Sequence, residues 1–558
     1  MLNGRPTSGG PRLDASNRAL VSASIMNHST PDAVTLEVFR QLFTALTEEM
    51  GAALRRASFS PNIKERRDYS CALFSPDIVP VALGDHMPVH LGAMPMSVQA
   101  ALDELGTLRT GDVACLNDPF RGGTHLPDIT LISPVHLEGD GTLLGYVASR
   151  AHHSDVGGMS PGSMPLAREI YQEGLRIPPI LLCRAGERQR DVWNLILANV
   201  RTPLERVGDL EAQLGALHVG GTRLREIAAR RGTPATLAAM ENLVKYADRL
   251  VDAGLEAIAE GVYRAEDLLD DDGFGMTDIP IRVALTRHAK GLDVDFSGSS
   301  DQVAGGVNAV AAITASVTRY VVRCIVEALL HEPLPAGGGS MSMVNLVLPE
   351  ASIVNASPPA SVAAGNVETS QRITDVLLKA FGEALPDVVP ALSQGTMNNT
   401  TVGGVDPRTG SAFAYYETVG GGMGAGPAGD GLSGVHTHMS NSFNTPIEAL
   451  EHAYPFRVTH YTVRRGSGGD GYHRGGDGLR RDIRLLVEGQ VTLLSERRAR
   501  GPSGAKGGAN GTPGKNVLIR NGEETLLPAK TSFEAEAGDV VSIRSPGGGG
   551  WGTPTETP

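Results

Sequence analysis

Two segments stand out in this 558-residue sequence: NDPFRGGTHLPD at 117–128 and SRAHHSDVGG at 149–158. In each segment a histidine precedes an aspartate by three residues, as His125 and Asp128 and then as His152 and Asp155. Imidazoles and carboxylates together are typical ligands of divalent ions such as Zn, Mn or Fe. Polar residues that cap strand ends give the same spacing by chance, so spacing alone leaves both interpretations open.

The residues between the two segments predict a β-hairpin. Residues 129–135 and 143–149 are strand-like, and the turn signal GDG lies between them at 139–141. A hairpin of this length returns the second segment beside the first. Neighbouring side chains of a strand point to opposite faces, so only one of His152 and His153 can face His125 and Asp128.

These motifs, with MSPGSMP following at 159–165, resemble the hydantoinase B/oxoprolinase family over about 30–551. That family includes the B-type subunits of ATP-dependent N-methylhydantoinases and the C-terminal half of 5-oxoprolinases. The alpha subunits of acetone and acetophenone carboxylases are similar. The resemblance implies a divalent metal ion, Zn, Mn or Fe, held by His125, Asp128 and His152. His152 is preferred over His153 because the family pattern keeps the first histidine of the pair.

Two further residues, His90 and Asp155, are candidates for a catalytic role. His90 matches the histidine of a family motif, PVHLG at 88–92, and is expected to position the substrate or move a proton. We expect a loop here, since Pro88 disfavours a helix; a hydrogen-bonded loop histidine is the alternative. Asp155 is expected to orient a ligand histidine.

Further polar residues resemble family positions. Glu173 and Arg176 lie in EIYQEGLRIPP at 169–179 and are candidate substrate-binding or structural groups. The charged run Lys64–Asp68 resembles a family motif and is expected to form a buried polar cluster near the site, or else a solvated helix end. Residues 363–372 predict a helix start that either caps itself or binds an anionic group.

The C-terminal half of the sequence holds two weaker patterns. The histidines of HTHMSN at 436–441 are two residues apart and would share one face of a strand, which could suggest a second metal site. The resemblance instead places this stretch, and YETVGGG at 416–422, near the substrate pocket. The run Asp270–Asp272 lacks the spacing of a calcium loop and predicts an exposed acidic turn.

Periodicity predicts a mixed α/β (α+β), multi-domain protein with a β-rich C-terminal region. Apolar residues from Leu36 to Leu54 recur at helical spacing, 311–330 is apolar all round, and strand patterns dominate after 457. We predict these segments: a disordered extension (1–29), an α/β metal-site domain (30–275), an α/β middle domain (276–455), a β-rich region (456–552) and a tail (553–558). Whether translation starts at Met1 or Met26 stays open.

Composition excludes several classes of protein. The formal net charge is −13 and no long Lys/Arg run occurs, so nucleic-acid binding is not expected. The sequence contains no run of 18 apolar residues, so we expect no transmembrane helix. The four cysteines lack CxxC spacing, which is typical of reduced thiols in a cytoplasmic protein.

The 69 glycines, many in clusters, predict tight turns and close backbone approaches.

The sequence has no GxxxxGK[ST] phosphate loop. The family resemblance implies that ATP and Mg bind to a separate A-type subunit in a hetero-oligomer. It also implies a small cyclic amide substrate: a hydantoin, N-methylhydantoin or 5-oxoproline ring. Phosphorylation of the ring amide creates a leaving group, and a metal can activate water for attack. The alternatives are the alpha subunit of an ATP-dependent ketone carboxylase and a non-catalytic scaffold subunit.

Overall fold

The structure, a computed structural model, describes residues 32–84 and 86–554 and confirms the mixed α/β architecture with several sheets. The predicted extension at 1–29, the choice between Met1 and Met26, and the last four residues of the tail lie outside the described residues. No helix of the described residues is long and apolar enough to cross a membrane. The cysteines are free and three are buried, which agrees with reduced thiols; the compartment stays a prediction.

The described residues contain helices and strands that we number in chain order. The helices are α1 (Ala33–Ala57), α2 (Pro61–Lys64), α3 (Pro88–Leu91), α4 (Met94–Leu105), α5 (Arg190–Ala198), α6 (Pro203–Arg231), α7 (Thr233–Glu256), α8 (Ala311–Leu330), α9 (Ser370–Ala384) and α10 (Ile447–Ala453). The first eleven strands are β1 (Tyr69–Phe74), β2 (Pro80–Leu83), β3 (Val113–Leu116), β4 (Asp128–His136), β5 (Leu143–His152), β6 (Ile180–Arg184), β7 (Glu187–Arg188), β8 (Gly261–Asp271), β9 (Thr277–His288), β10 (Gly291–Asp295) and β11 (Val344–Val347). The others are β12 (Asn399–Asp406), β13 (Ser411–Glu417), β14 (Phe456–Arg464), β15 (Gly478–Leu485), β16 (Gly489–Leu494), β17 (Lys515–Arg520), β18 (Glu523–Leu527), β19 (Lys530–Ala535) and β20 (Val540–Arg544).

The strands form four sheets. A seven-stranded sheet has the order β2-β1-β5-β4-β3-β6-β7, and a four-stranded sheet has the order β11-β10-β9-β8. The C-terminal half adds β13-β12-β16-β19 and β14-β15-β20-β17-β18. Helices α1 and α6 pack together against the seven-stranded sheet, and α9 packs against β8 and β9. Helix α4 packs against the other face of this sheet, which explains why its inner strands β1, β3, β4 and β5 are almost wholly buried.

The predicted hairpin is confirmed as β4 and β5. The two strands pair antiparallel, and the register places Asp128 opposite His152. Strand alternation sends Ile132 and Ala148 to the face that packs against α4, and it sends Leu131 and Val147 to the opposite face. Asp128 and His152 therefore lie at the polar end of the face that α4 covers.

The α-helical predictions are also confirmed in position. The stripe from Phe39 to Leu54 is buried in α1, and α8 has the same bounds as the predicted 311–330 helix. The side chain of Asp32 caps α1, because it accepts a hydrogen bond from the amide of Thr35 at 3.0 Å.

The domain boundaries stay a prediction. The boundary between 275 and 276 falls inside an antiparallel pair, since β8 and β9 are hydrogen-bonded along most of their length. One buried apolar cluster includes residues from Phe39 to Leu494 and so joins both predicted α/β domains. The stretch 456–552 is almost free of helix, as expected.

Clustered glycines allow backbones to touch in the C-terminal half. A Cβ atom on Gly422 would overlap the carbonyl oxygen of Gly476, and one on Gly548 would overlap the carbonyl oxygen of Met423. Both added Cβ atoms would lie far inside van der Waals distance of these oxygens, so neither position can hold a side chain. The expected close backbone approaches are therefore present.

The acidic turn prediction is wrong, because Asp270 and Asp272 are buried.

Candidate metal centre

The end of the β4–β5 hairpin brings three ligand-type side chains together. His125 Nε2 lies 3.2 Å from Asp128 Oδ1, and His152 Nδ1 lies 3.4 Å from the same oxygen. One ligand atom from each of the three residues lies within 4.8 Å of the other two, and all three side chains are buried. Among the described residues no other group of three His, Cys, Asp or Glu side chains meets this spacing.

The hydrogen bonding of this triad suits a divalent ion. Asp128 Oδ2 accepts a hydrogen bond from Thr124 Oγ1 at 2.7 Å, but Asp128 Oδ1 and His152 Nε2 are buried without any hydrogen-bond partner. Burial opposes ionisation of Asp128, yet His125 and His90 outweigh it and hold its pKa well below the usual value. Burial lowers the pKa of His152, which favours its neutral imidazole. At His125 burial also acts to lower the pKa, but the Asp128 carboxylate outweighs it and the net shift is upward. A carboxylate with neutral imidazoles is the donor set of zinc, manganese and iron sites.

His125 has a protein partner at each ring nitrogen. Nδ1 lies 3.3 Å from the carbonyl oxygen of Ala363, which can only accept, so the proton is assigned to Nδ1. Nε2 then carries a lone pair and lies 2.9 Å from Nδ2 of Asn366. An imidazole N–H on a backbone carbonyl is a common way to orient a metal-ligating histidine.

His152 is fixed by stacking and by its backbone. Its ring lies parallel to that of Tyr416, with centroids 4.4 Å apart and an interplanar angle of 13°. Its amide donates to the carbonyl oxygen of Asp68 at 3.0 Å, and its own carbonyl accepts from Asn62 Nδ2 at 2.6 Å. The imidazole therefore has little freedom to turn away from Asp128.

His153 faces the other side of the sheet, as strand alternation predicts. Its Nε2 lies 3.0 Å from Oε1 of Gln213 on α6. Burial lowers the pKa of His153 to about 4. Of the two adjacent histidines, only His152 lies beside His125 and Asp128.

His90 also lies at the triad. Its Nε2 is 3.4 Å from Asp128 Oδ2, and its Nδ1 is 3.2 Å from Ser70 Oγ. The predicted loop is wrong: residues 88–91 form the short helix α3, in which Pro88 occupies the first position. Proline is tolerated there because the first helical N–H has no partner within the helix. The role of His90 stays a prediction.

The contacts of Asp155 correct its expected role. Its carboxylate accepts from the amides of Gly157, Gly162 and Arg201 and from Arg201 Nη1 at 2.9 Å. None of these partners is a histidine. The strand ends at His152, and Asp155 orders the loop that follows instead of orienting a ligand.

Glu173 and Arg176 bind protein groups instead of facing a pocket. Glu173 Oε1 accepts hydrogen bonds from Ser361 Oγ and from the amide of Ala363. Arg176 is partly exposed; its Nε lies 3.6 Å from Asp118 Oδ2. Neither side chain lines the cavity at the triad. The predicted substrate-binding role is thus unsupported by their contacts.

A narrow cavity lies beside the triad. Its lining consists of Asp68, Met87, Val89, His90, His152, Asn366, Val367, Met397, Tyr416, Thr418 and Ser442. The helix start at 363–372 contributes Asn366 to this lining, and the polar stretch 416–422 contributes Tyr416. Asn366 contacts His125 and Tyr416 stacks on His152, and the sequence did not predict either contact. The second metal site considered for His436 and His438 is not found among the described residues.

Comparisons with known proteins agree with this architecture. The sequence model of the family Hydantoinase B/oxoprolinase matches residues 32–554. An uncharacterised protein of Methanocaldococcus jannaschii is 38% identical over 94% of this chain and 91% of its own length. The 5-oxoprolinase 1 of Arabidopsis thaliana is 38% identical over 94% of this chain, which spans only 42% of that protein. A putative B-type subunit of a D-/L-hydantoinase from a Pseudomonas species is 29% identical over 94% of this chain and 90% of its own length.

Solved structures show the same fold. The ATP-dependent caprolactamase from Pseudomonas jessenii superposes with a TM-score of 0.86 at 29% identity, covering 95% of this chain and 93% of that one. An acetone carboxylase chain superposes with a TM-score of 0.82 at 19% identity, covering 94% of this chain and 76% of that one. The matches extend over nearly the whole chain, and the family match at 32–554 includes the hairpin that carries the triad. The chain belongs to the hydantoinase B/oxoprolinase family.

Proposed function

We propose that this chain is the metal-dependent subunit of an ATP-dependent hydrolase that opens the ring of a cyclic amide. The observation that carries the proposal is the buried triad of His125, Asp128 and His152 beside a cavity, with Asp128 Oδ1 and His152 Nε2 lacking a hydrogen-bond partner. The relatives named as 5-oxoprolinase, hydantoinase subunit and caprolactamase support a cyclic amide as substrate. The candidate rings are hydantoin, N-methylhydantoin, 5-oxoproline and related lactams.

The residues of this site have separate roles. His125, Asp128 and His152 would hold the ion, and a bound Zn, Mn or Fe ion would polarise a carbonyl and lower the pKa of water. Thr124 fixes the Asp128 carboxylate by a hydrogen bond. His90 lies close enough to the triad to orient the ring or to carry a proton. Burial of all five side chains keeps bulk water away from the reacting atoms.

ATP activation is assigned to a partner. The lack of a phosphate loop supports this assignment, and so does the likeness to a B-type hydantoinase subunit, which this chain matches over 90% of that protein's length. We propose a hetero-oligomer in which an A-type subunit binds ATP and Mg. The longer eukaryotic 5-oxoprolinases match this chain over about two fifths of their length, which fits a fusion of two such parts.

Reconstitution tests the proposal. The purified chain alone should show no ATP-dependent ring opening, and activity should appear when an A-type subunit is added. The matched control is the same mixture with His125→Ala, which should open no ring even when ATP is supplied. Full activity from the isolated chain, or normal activity with His125→Ala, would reject the proposal.

A ketone carboxylase is the second candidate. The fold likeness to acetone carboxylase favours it, although that likeness concerns the fold alone. Bicarbonate separates the two reactions, since a carboxylase consumes it in proportion to product and a hydrolase does not. A scaffold subunit would instead purify without a stoichiometric divalent ion.

A further inference from the structure

We propose that Glu173 is a positioning residue for the metal centre, acting on His125 through the turn at 361–363. This inference rests on the proposed metal-dependent function. It gives Glu173 a different role from the substrate contact suggested by sequence.

The carboxylate of Glu173 holds the start of a helical segment. Oε1 accepts from Ser361 Oγ, from the amide of Val362 at 2.6 Å and from the amide of Ala363 at 3.0 Å. The side chain is fully buried. Free amides at a helix start hold an acceptor, and here the protein supplies its own in the carboxyl of Glu173, whose pKa burial raises to about 7. The amides of Val362 and Ala363 are therefore taken up by Glu173 instead of by a bound anionic group.

The turn held by Glu173 also holds His125. The amide of Ala363 donates to Glu173, and the carbonyl of the same residue accepts from His125 Nδ1 at 3.3 Å. Asn366, in the π-helical turn Gly365–Thr369, reaches Nε2 of the same imidazole at 2.9 Å. One short segment thus contacts both ring nitrogens of His125, and Glu173 anchors that segment.

The two segments also meet without the Glu173 side chain. Glu169 and Ala360 form an isolated β-bridge, and the amide of Ile170 donates to the carbonyl of Pro359 at 2.9 Å. Removal of the carboxylate should therefore loosen the turn at 361–363 without separating the segments. The expected consequence is a weaker hold on the ion, because loss of an outer partner of a metal ligand typically costs about 10–100-fold in affinity.

Zinc affinity of the metal-free full-length chain tests the inference, measured with Zn²⁺ alone against a chelator of known affinity. Glu173→Ala should weaken Zn²⁺ binding by about 10–100-fold. Glu173→Gln should retain affinity within a few-fold, because its amide oxygen can still accept from the turn. Glu187→Ala is the control, an exposed glutamate on β7 outside this segment, and should leave the affinity unchanged.

The outcomes are distinguishable. Wild-type affinity in Glu173→Ala, or equal losses in the Ala and Gln variants, overturns the anchoring role. If Glu173→Ala does not fold, Ser361→Ala removes one donor to the same oxygen and should weaken Zn²⁺ binding several-fold; no change overturns the role. If the wild-type chain itself binds no Zn²⁺, Mn²⁺ or Fe²⁺, the proposed metal centre fails and this inference fails with it.

Discussion

His152 and His153 are adjacent and chemically identical, yet the fold places them in different surroundings. His152 lies against Asp128 and the ring of Tyr416, whereas His153 bonds to Gln213 on α6. Both residues are buried, so they differ in the face of the sheet to which they point, as alternation along an extended chain predicts. The pair therefore provides a matched test of the triad.

We predict that His152→Ala loses its divalent ion and that His153→Ala keeps it. The first substitution removes one of three ligands, whereas the second removes a hydrogen bond on the far face of the sheet, at a cost of about 1–3 kcal/mol in the free energy of unfolding. Metal per chain by elemental analysis, with a thermal unfolding curve for each variant, checks both statements. Equal metal content in the two variants would contradict the assignment.

Variants of His90 and Asp128 separate a residue that takes part in the reaction from one that holds the ion. His90→Ala should keep its metal and lose about 10²–10⁴-fold in turnover, the usual loss for a general acid or base. Asp128→Ala should lose both metal and turnover, since Asp128 Oδ1 is the atom both histidines of the triad face. The measurement is steady-state turnover of the reconstituted complex beside metal content. Normal turnover in His90→Ala would return His90 to a packing role.

At the scale of elements, one buried arginine joins three parts of the chain near the site. Arg66 follows α2 and is fully buried. The charged run it belongs to combines both expected arrangements, because Arg66 and Asp68 are buried whereas Lys64 and Arg67 are exposed. Its acceptors are Asn62 Oδ1, Tyr416 O, Thr418 Oγ1, Ser442 Oγ and Phe443 O. A guanidinium has five N–H donors, so the side chain is fully used in connecting α2, the end of β13 and the 442–443 loop.

We predict that Arg66→Lys destabilises the protein by about 2–5 kcal/mol. An ammonium has three donors and cannot reach five acceptors, and each buried acceptor left unpaired costs about 1–3 kcal/mol. Arg67→Lys is the control, because Arg67 is exposed and should change the free energy of unfolding by less than about 0.5 kcal/mol. Denaturant unfolding measures the stability of both variants. Similar stabilities would show that Arg66 does not hold α2, the end of β13 and the 442–443 loop together.

Elements with strong periodicity were predictable from sequence, and tertiary partners were not. The hairpin of β4 and β5 and the bounds of α8 follow from local patterns of apolar residues. The short helix at Pro88 was missed because a proline at the first helical position reads like a helix breaker. The partners of Asp155 include Arg201, which is far along the chain, and no local pattern announces it.

At the scale of the whole molecule, buried charges join distant segments. Arg372 on α9 lies 3.2 Å from Asp375 and 3.3 Å from Glu496, and Arg497 lies 2.7 Å from Asp267 on β8. A neighbouring contact explains why Asp270 is buried instead of exposed: its Oδ2 accepts from the amide of Arg498 at 2.6 Å. The contacts to Glu496 and Asp267 unite parts of the chain more than 100 residues apart, which composition and spacing cannot reveal.

Glu368 makes the stability of the molecule depend on pH. Burial raises its pKa from 4.5 to about 7, although Oε1 accepts from Asn399 Nδ2 at 2.7 Å. Between pH 4.5 and about 7 the unfolded chain releases this proton while the folded chain keeps it, so the free energy of unfolding falls as pH rises. The total effect is about 3 kcal/mol.

Glu368→Gln should remove this dependence because the amide cannot ionise. Relative to the wild type, the variant should gain stability as the pH rises from 5 to about 8, by about 3 kcal/mol, with little further change above that. Denaturant unfolding at a series of pH values measures the difference. A difference that stays constant across this range would contradict the prediction.

The central claim is that His125, Asp128 and His152 hold one divalent ion. Anomalous diffraction from crystals of the metal-loaded protein, collected on both sides of the metal's absorption edge, tests it most directly. We predict a single strong peak with an imidazole nitrogen of each histidine and a carboxylate oxygen of Asp128 at about 2.0–2.2 Å. An anomalous map with no peak at the triad, or with its main peak elsewhere in the chain, would contradict the account.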